Sequence, residues 1–312
     1  MNLFEFQQTF PTEKEAIEYF ISIRYPQGII CPKCGAKLNV YHRHTFPRMC
    51  HCNNCKSEFS IFAKTIFEKS DTDLRKWFYA INLSLISRKG ISAMQLKREI
   101  GVTYKTAWRM LRQIRSAMGN ADMSKTFEAI VEIDETYIGG KPRKGNNKDK
   151  EESEDNNDDD DKKPKNPRGR GTRKTPVIGV KERITNKVYA KVAMPDGKGR
   201  KLSGRQLLSV LETVCKDNTV IMTDDFKGYD ILNRPNDNNF IRLSVNHSGG
   251  EYSRYSFIHT NGIESFWALL KRGVFGIYHH ISVKYMQNYI NEFCFRLNNN
   301  TFDGILRQSV IA

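Results

Sequence analysis

Two kinds of side chain in this sequence are spaced for chemistry: oxygen donors spread over the C-terminal half and thiols gathered near the N-terminus. The oxygen donors centre on His259 to Arg272, HTNGIESFWALLKR. On a helix at about 100° per residue, Asn261, Glu264 and Lys271 fall within an arc of roughly 80°, with Ile263, Phe266, Trp267, Leu269 and Leu270 around the rest. A surface helix ordinarily has one apolar stripe and a broad polar face. An amide, a carboxylate and an ammonium lined up on an otherwise apolar helix must face a cleft, a partner charge or a metal; a ladder of salt bridges on a buried helix is the plainer alternative. Two further acids stand where apolar runs end, Asp134 after Glu128-Ala-Ile-Val-Glu-Ile and Asp224 or Asp225 after Thr219-Val-Ile-Met-Thr. Carboxylates brought together repel and raise each other's pKa. A hard dication, Mg2+ or Mn2+, removes that repulsion. Two such ions about 3.5 to 4 Å apart can activate a water or 3′-hydroxyl while stabilising a leaving oxygen. That chemistry is phosphodiester hydrolysis and strand transfer, with Lys271 set to contact a phosphate.

The thiols have a different use. Cys31-Pro-Lys-Cys34 and Cys52-Asn-Asn-Cys55 are two knuckles joined by a stretch rich in β-formers. Such pairs place four thiolates tetrahedrally around one structural Zn2+, which closes a loop too small to have its own core. Cys50, His42, His44 and His51 are surplus donors, any of which could replace a cysteine. Seven cysteines, an odd number, with five between Cys31 and Cys55, point to metal rather than disulfides.

The elements that must position these groups follow from patterning. A short helix is expected over Glu13 to Tyr25 after Pro11 and Thr12, and another over Leu74 to Leu85 with Asp71 or Thr72 as its N-cap. Gly90 to Arg115 reads as two helices about a tight turn, with Ser92 capping the first, Gly101 ending it and Thr103 capping the second. That is the layout of a helix-turn-helix, whose second helix offers Tyr104, Lys105, Thr106, Arg109 and Arg112 to a DNA major groove. A solvated face of Lys105, Arg109, Arg112 and Arg115 is the bland alternative. Glu128 to Ile138 is a strand with Val131 and Ile133 on one face and Ile130, Glu132 and Asp134 on the other. Residues 142–174 offer almost nothing to bury and carry dense charge, so a disordered insertion is expected there. Thr175 to Val180 and Lys187 to Met194 extend the sheet antiparallel, Leu202 to Val214 is a helix, and Thr219 to Asp225 a buried central strand. An irregular stretch then leads to the helix bearing Glu264 and to a last helix, Val283 to Asn298.

The chain has 312 residues, room for two or three domains. It carries 50 Lys plus Arg against 35 Asp plus Glu, a formal charge of +15 that favours a polyanionic partner, nucleic acid before a membrane surface. It has no apolar run of about 18 residues and no signal-like start, so a cytoplasmic, DNA-associated protein with no membrane partner is expected.

Asp134-Glu-Thr-Tyr-Ile-Gly-Gly-Lys141, Thr223-Asp-Asp-Phe-Lys-Gly-Tyr229, His259 to Trp267 with Lys271-Arg272, and Glu292-Phe-Cys-Phe-Arg-Leu-Asn298 resemble the DDE-type transposases of the bacterial insertion-sequence family numbered fifteen-ninety-five. The order of zinc-ribbon, helix pair and nuclease-like portion is similar too. The resemblance implies an α+β multidomain chain with an RNase H-like mixed α/β catalytic domain, and a cut-and-transfer reaction at the ends of a mobile element in a prokaryotic host. It implies domains at 1–60, 61–122 and 123–312, the partner double-stranded DNA, and a homodimer or larger assembly holding two DNA ends. The family's two aspartates, its asparagine, histidine or glutamate, and its lysine carry over to Asp134, Asp224, Asn261 or Glu264, and Lys271. Glu264 is favoured as the direct third ligand and Asp224 over Asp225. A DNA-binding regulator with a non-catalytic back half and a structure-selective nuclease are the competing readings.

Overall fold

The computed structural model describes residues 1–43, 45–139, 174–194, 202–234, 239–245, 257–298 and 301–310. His44 and the expected insertion, apart from Lys174, lie outside the described residues. The chain divides into two units, Met1–Asp122 with Asn288–Ala312, and Met123–Gln287.

In the first unit, α1 (Leu3–Thr9) and α2 (Glu13–Arg24) precede a three-stranded antiparallel sheet, β1 (Val40–His42), β2 (Met49–Cys52) and β3 (Glu58–Ser60). Helices α3 (Leu74–Ile86), α4 (Ala93–Ile100) and α5 (Tyr104–Ala117) follow. The sequence separates a ribbon from a helical domain, but the two share one core. Cys50 and Ile61 lie in the same buried cluster as Phe20, Trp77 and Phe78. Glu13 joins them by an ion pair to Arg48 beside β2 (2.5 Å) and by accepting the Leu74 N–H that opens α3 (3.0 Å). The α3 cap is Asp73, whose side chain accepts from Arg75 N, rather than Asp71 or Thr72. The Ser92, Gly101 and Thr103 boundaries are as expected, Gly101 adopting the left-handed conformation (φ 61°) that its missing Cβ permits.

In this division residues 288–312 group with residues 1–122. The tail packs with residues 1–122 by burying Phe295, Ile305 and Leu306 in their core and through one buried carboxylate. Glu292, in α8 (Met286–Asn298), accepts from Arg115 of α5 at 2.7 Å and also pairs with Arg296. Arg115 is therefore not on a solvated face: it follows Ala107 and Leu111 at helical spacing on the buried stripe and stacks over Tyr289 at 4.2 Å.

The second unit is a five-stranded mixed sheet of order β6-β5-β4-β7-β8, with β4 Ile130–Ile138, β5 Thr175–Glu182, β6 Val188–Val192, β7 Val220–Thr223 and β8 Ile241–Ser244. β4, β5 and β6 are antiparallel neighbours, while β4 pairs parallel with β7 and β7 parallel with β8. β7 is interior, as its unbroken apolar run implies; β8 occupies the stretch expected to be irregular. Helix α6 (Gly204–Val214) buries Leu207, Leu211 and Val214 in one cluster with Val131, Ile133 and Val180 from one face of the sheet. Helix α7 (Asn261–Gly273) covers the other face and continues into a π-helical turn, Val274–Tyr278. α8 (Met286–Asn298) and α9 (Phe302–Gln308) complete the chain. Together these elements make an α+β protein. No described helix is long and apolar enough to cross a membrane.

Candidate active site

Asp134 is the middle residue of β4 rather than near its end, on the face covered by α7. The parallel register pairs Ile130 with Val220, Val131 with Ile221 and Glu132 with Met222. β7 ends at Thr223, so Asp224 is the first residue past it, close enough to Asp134 to act on it electrostatically. Asp225 follows at a bend and is exposed. α7 supplies the third acid: its buried stripe of Ile263, Phe266, Trp267 and Leu270 lies on the sheet, leaving Asn261, Glu264 and Lys271 exposed. The polar face is broader than the sequence implied, for Ser265, Ala268 and Arg272 are also exposed.

Burial and the neighbouring Glu135 raise Asp134 from an ordinary 3.8 to about 7; Asp224 and Glu264 add to the rise, and a backbone hydrogen bond at Glu135 opposes it. The sheet and helix thus bring Asp134, Asp224 and Glu264 into one electrostatic neighbourhood. Each carboxylate is held separately: Asp134 Oδ2 accepts from the Trp267 indole at 3.1 Å, Asp224 Oδ1 from Phe226 N at 3.0 Å, and Glu264 Oε1 from the Thr260 hydroxyl at 2.9 Å. Among the described residues no carboxylate set has its oxygens gathered as closely as the thiols of the ribbon. Oxygen donors with surplus negative charge fit a hard dication in kind. Lys271 sits exposed about two turns beyond Glu264.

Trp267 reads in the sequence as apolar filler, yet it orients Asp134. It can do so because β5 has a glycine opposite: Gly179 pairs with Asp134, and a Cβ there would meet the Trp267 ring at 2.4 Å. Gly179→Ala should therefore cost about 1–3 kcal/mol by overpacking and displace the indole from Asp134. Denaturant titration read by tryptophan emission checks it; unchanged stability and emission would contradict it. Glu132 and Arg183, which neither spacing nor type singled out, lie beside these acids. Arg183 Nε bonds Glu132 Oε1 at 2.7 Å.

In the ribbon, the four thiol sulfurs of Cys31, Cys34, Cys52 and Cys55 all lie within 4.8 Å of one another. Cys31 to Cys55 and Cys34 to Cys52 are each 3.6 Å apart, and zinc thiolates at about 2.3 Å in a tetrahedron place sulfurs about 3.8 Å apart. Desolvation pushes the Cys31 thiol up, but the backbone N–H groups of Cys34 and Lys33 and the Ser57 hydroxyl outweigh it and bring it to about 6. The arrangement suits a structural zinc. The surplus donors have other uses: Cys50 is in the core, His42 bonds the Pro47 carbonyl, and His51 faces Glu58 at 3.9 Å.

Helix α5 exposes Tyr104, Lys105, Arg109 and Arg112, while Thr106 is half-buried and hydrogen-bonded to the Thr103 hydroxyl at 2.9 Å. Arg109 reaches the Glu68 carbonyl at 3.1 Å, and Arg112 lies over Trp108 at 5.8 Å.

Residues 127–298 match the family model of the ISXO2-like transposase domain, and residues 11–58 match the transposase zinc-ribbon domain. The chain is also 31% identical over 273 residues to an uncharacterized protein in transposable element ISH50 of Halobacterium salinarum, an alignment covering 85% of this chain and 84% of that one.

Proposed function

Since the chain belongs to the ISXO2-like transposase family of insertion sequences, we propose that it binds the terminal inverted repeats of its element and catalyses metal-dependent cleavage and strand transfer of double-stranded DNA. The observation that carries this reading is that β4, the end of β7 and α7 bring the carboxylates of Asp134, Asp224 and Glu264 into one neighbourhood, where the negative charge and burial raise the pKa of Asp134. A site that concentrates negative charge against a polyanionic substrate needs cations. When bound there, Mg2+ or Mn2+ supplies Lewis-acid activation of the attacking oxygen and stabilisation of the leaving one.

Asp134 in β4, Asp224 just past β7 and Glu264 in α7 would hold the ion, with the Thr260 hydroxyl orienting Glu264. Asn261, one turn earlier, orients the substrate side of the same shell, and Lys271 neutralises a phosphate. The strand order, three antiparallel followed by two parallel, supports an RNase H-like assignment of the sheet. The Ser92 and Thr103 caps and the left-handed Gly101 support a helix-turn-helix assignment, with α5 presenting Tyr104, Lys105, Thr106, Arg109 and Arg112 to a groove. The half-buried position of Thr106 leaves Lys105, Arg109 and Arg112 as its principal contacts. Transfer needs two DNA ends held together, so the working form is a homodimer or larger.

The test uses purified protein, linear DNA bearing the inverted repeats that flank the gene, and Mg2+ or Mn2+. Cleavage followed by joining is expected, abolished by Glu264→Ala and reduced less by Asn261→Ala. Specific binding without cleavage would identify a regulator, and cleavage without joining a nuclease.

A further inference from the structure

Helix α7 lacks the cap its own sequence should provide. Thr260 stands at the N-cap position, yet its side chain makes no capping hydrogen bond, and its hydroxyl is turned to Glu264 instead. A side-chain oxygen at that position ordinarily accepts the N–H of the second or third helical residue. Here the third residue, Ile263, donates at 2.9 Å to Oε2 of Glu132, a residue 131 positions earlier in the chain.

Glu132 is 1% exposed. Its other oxygen pairs with Arg183 Nε at 2.7 Å and lies 3.5 Å from His259 Nδ1. Arg183 in turn donates to the carbonyls of Phe257 and His259, both at 2.7 Å, and to His259 Nδ1 at 2.8 Å, so the segment leading into α7 is fastened at its backbone. Lys181, the cross-strand partner of Glu132, reaches the Gly262 carbonyl at 3.4 Å. The helix backbone can settle this low because residue 262 is glycine: a Cβ there would stand 2.7 Å from Glu132 Oε2. A carboxylate at a helix N-terminus also meets the positive end of the helix dipole. Two charges taken out of water are tolerated only when hydrogen bonds satisfy them, and nearly all the bonds drawn by this pair go to the entry of α7.

We propose that Glu132, held by Arg183, is a positioning residue that caps α7 across the sheet and sets Glu264 against Asp134. Glu132 and Asp134 are two apart on one face of β4, so a single strand carries one acid of the site and fixes the helix that carries another. Releasing Thr260 from capping leaves its hydroxyl to orient Glu264. This assignment rests on the metal-dependent reading above, and its test separates the two.

Terbium serves as the probe ion, because the Trp267 indole beside Asp134 can sensitise its emission on excitation. Wild-type protein should show a luminescent site that Asp134→Asn removes. Glu132→Gln keeps an acceptor for Ile263 but strands Arg183, and Gly262→Ala lifts the helix from the opposite side. Each should weaken terbium binding by about 10- to 100-fold, as loss of an outer-shell partner does, and raise the Mg2+ concentration at half-maximal cleavage. Folding is checked by an unchanged circular dichroism spectrum, and Gly262→Ala carries the test if Glu132→Gln fails to fold. Variants that bind terbium and respond to Mg2+ as wild type does would overturn the assignment and leave the metal reading standing. A wild-type protein without an Asp134-dependent site would overturn both.

Discussion

Asp134→Asn should lose DNA cleavage by at least about a thousandfold, ~4 kcal/mol of barrier, while gaining thermal stability at neutral pH in the absence of divalent ions. The two effects share one cause. An acid raised from 3.8 to about 7 binds its proton more tightly in the folded chain than in the unfolded one. Stability from this group is full below about pH 4 and falls as pH rises toward 7, where the folded protein must expose a buried charge to its neighbours. At about 1.36 kcal/mol per pKa unit the burden at pH 8 is a few kcal/mol. Asparagine removes it and still offers a carbonyl oxygen to the Trp267 indole, so the fold is kept. The measurement is the melting temperature of both proteins at pH 4.5 and pH 8, with and without Mg2+. The variant's advantage should appear only at the higher pH. Mg2+ should stabilise the wild type alone, because a ligand stabilises only the state that binds it. Metal-dependent cleavage retained by Asp134→Asn, or a pH-independent stability difference, would refute the role given to this carboxylate.

How much of this was legible in the sequence depended on whether the governing contact was local. Ser92, Gly101 and Thr103 are boundary signals complete within a few residues, and the helix pair starts and stops at them. Asp71-Thr72-Asp73 offers three capping side chains in a row, and only tertiary contacts select Asp73. Asp134 and Asp224 were visible because each follows an apolar run; that their strands are parallel neighbours is something no local pattern encodes. β8 escaped notice because Ile241-Arg-Leu-Ser alternates over only four residues. Glu132 was seen on the Asp134 face, but its partners lie 51 and 131 residues away. The alternative of a solvated face fails at Arg115, whose spacing from Ala107 and Leu111 marks it as inward; an arginine on a buried stripe is a request for a distant acid, here Glu292. The ribbon sulfurs were legible in full, since metal-ligand spacing is itself a local signal.

Removing the ribbon metal should have the largest effect on the fold. Strands of three or four residues cannot hold a sheet by their own pairing, and structural zinc supplies on the order of 10 kcal/mol to small sites of this kind. The loss would not stay within the ribbon. Cys50 and Ile61 are buried among the aromatic side chains of α2 and α3, and Arg48 ties the ribbon to Glu13 at the start of α2. Chelation, or Cys34→Ser or Cys52→Ser, should therefore lower the melting transition of the unit formed by residues 1–122 and 288–312. The unit of residues 123–287, with its own core of Val131, Ile133, Leu207 and Leu211, should melt unchanged. Differential scanning calorimetry of the full chain would show one transition splitting into two. Metal analysis should find one zinc per chain in wild type and none in the cysteine-to-serine variants. Cys50→Ala separates ligation from packing, for its thiol faces the core: it should keep the zinc and lose only packing stability. Zinc retained by Cys34→Ser or Cys52→Ser, or a single unshifted transition after chelation, would mean that the four sulfurs are not what holds the first unit together.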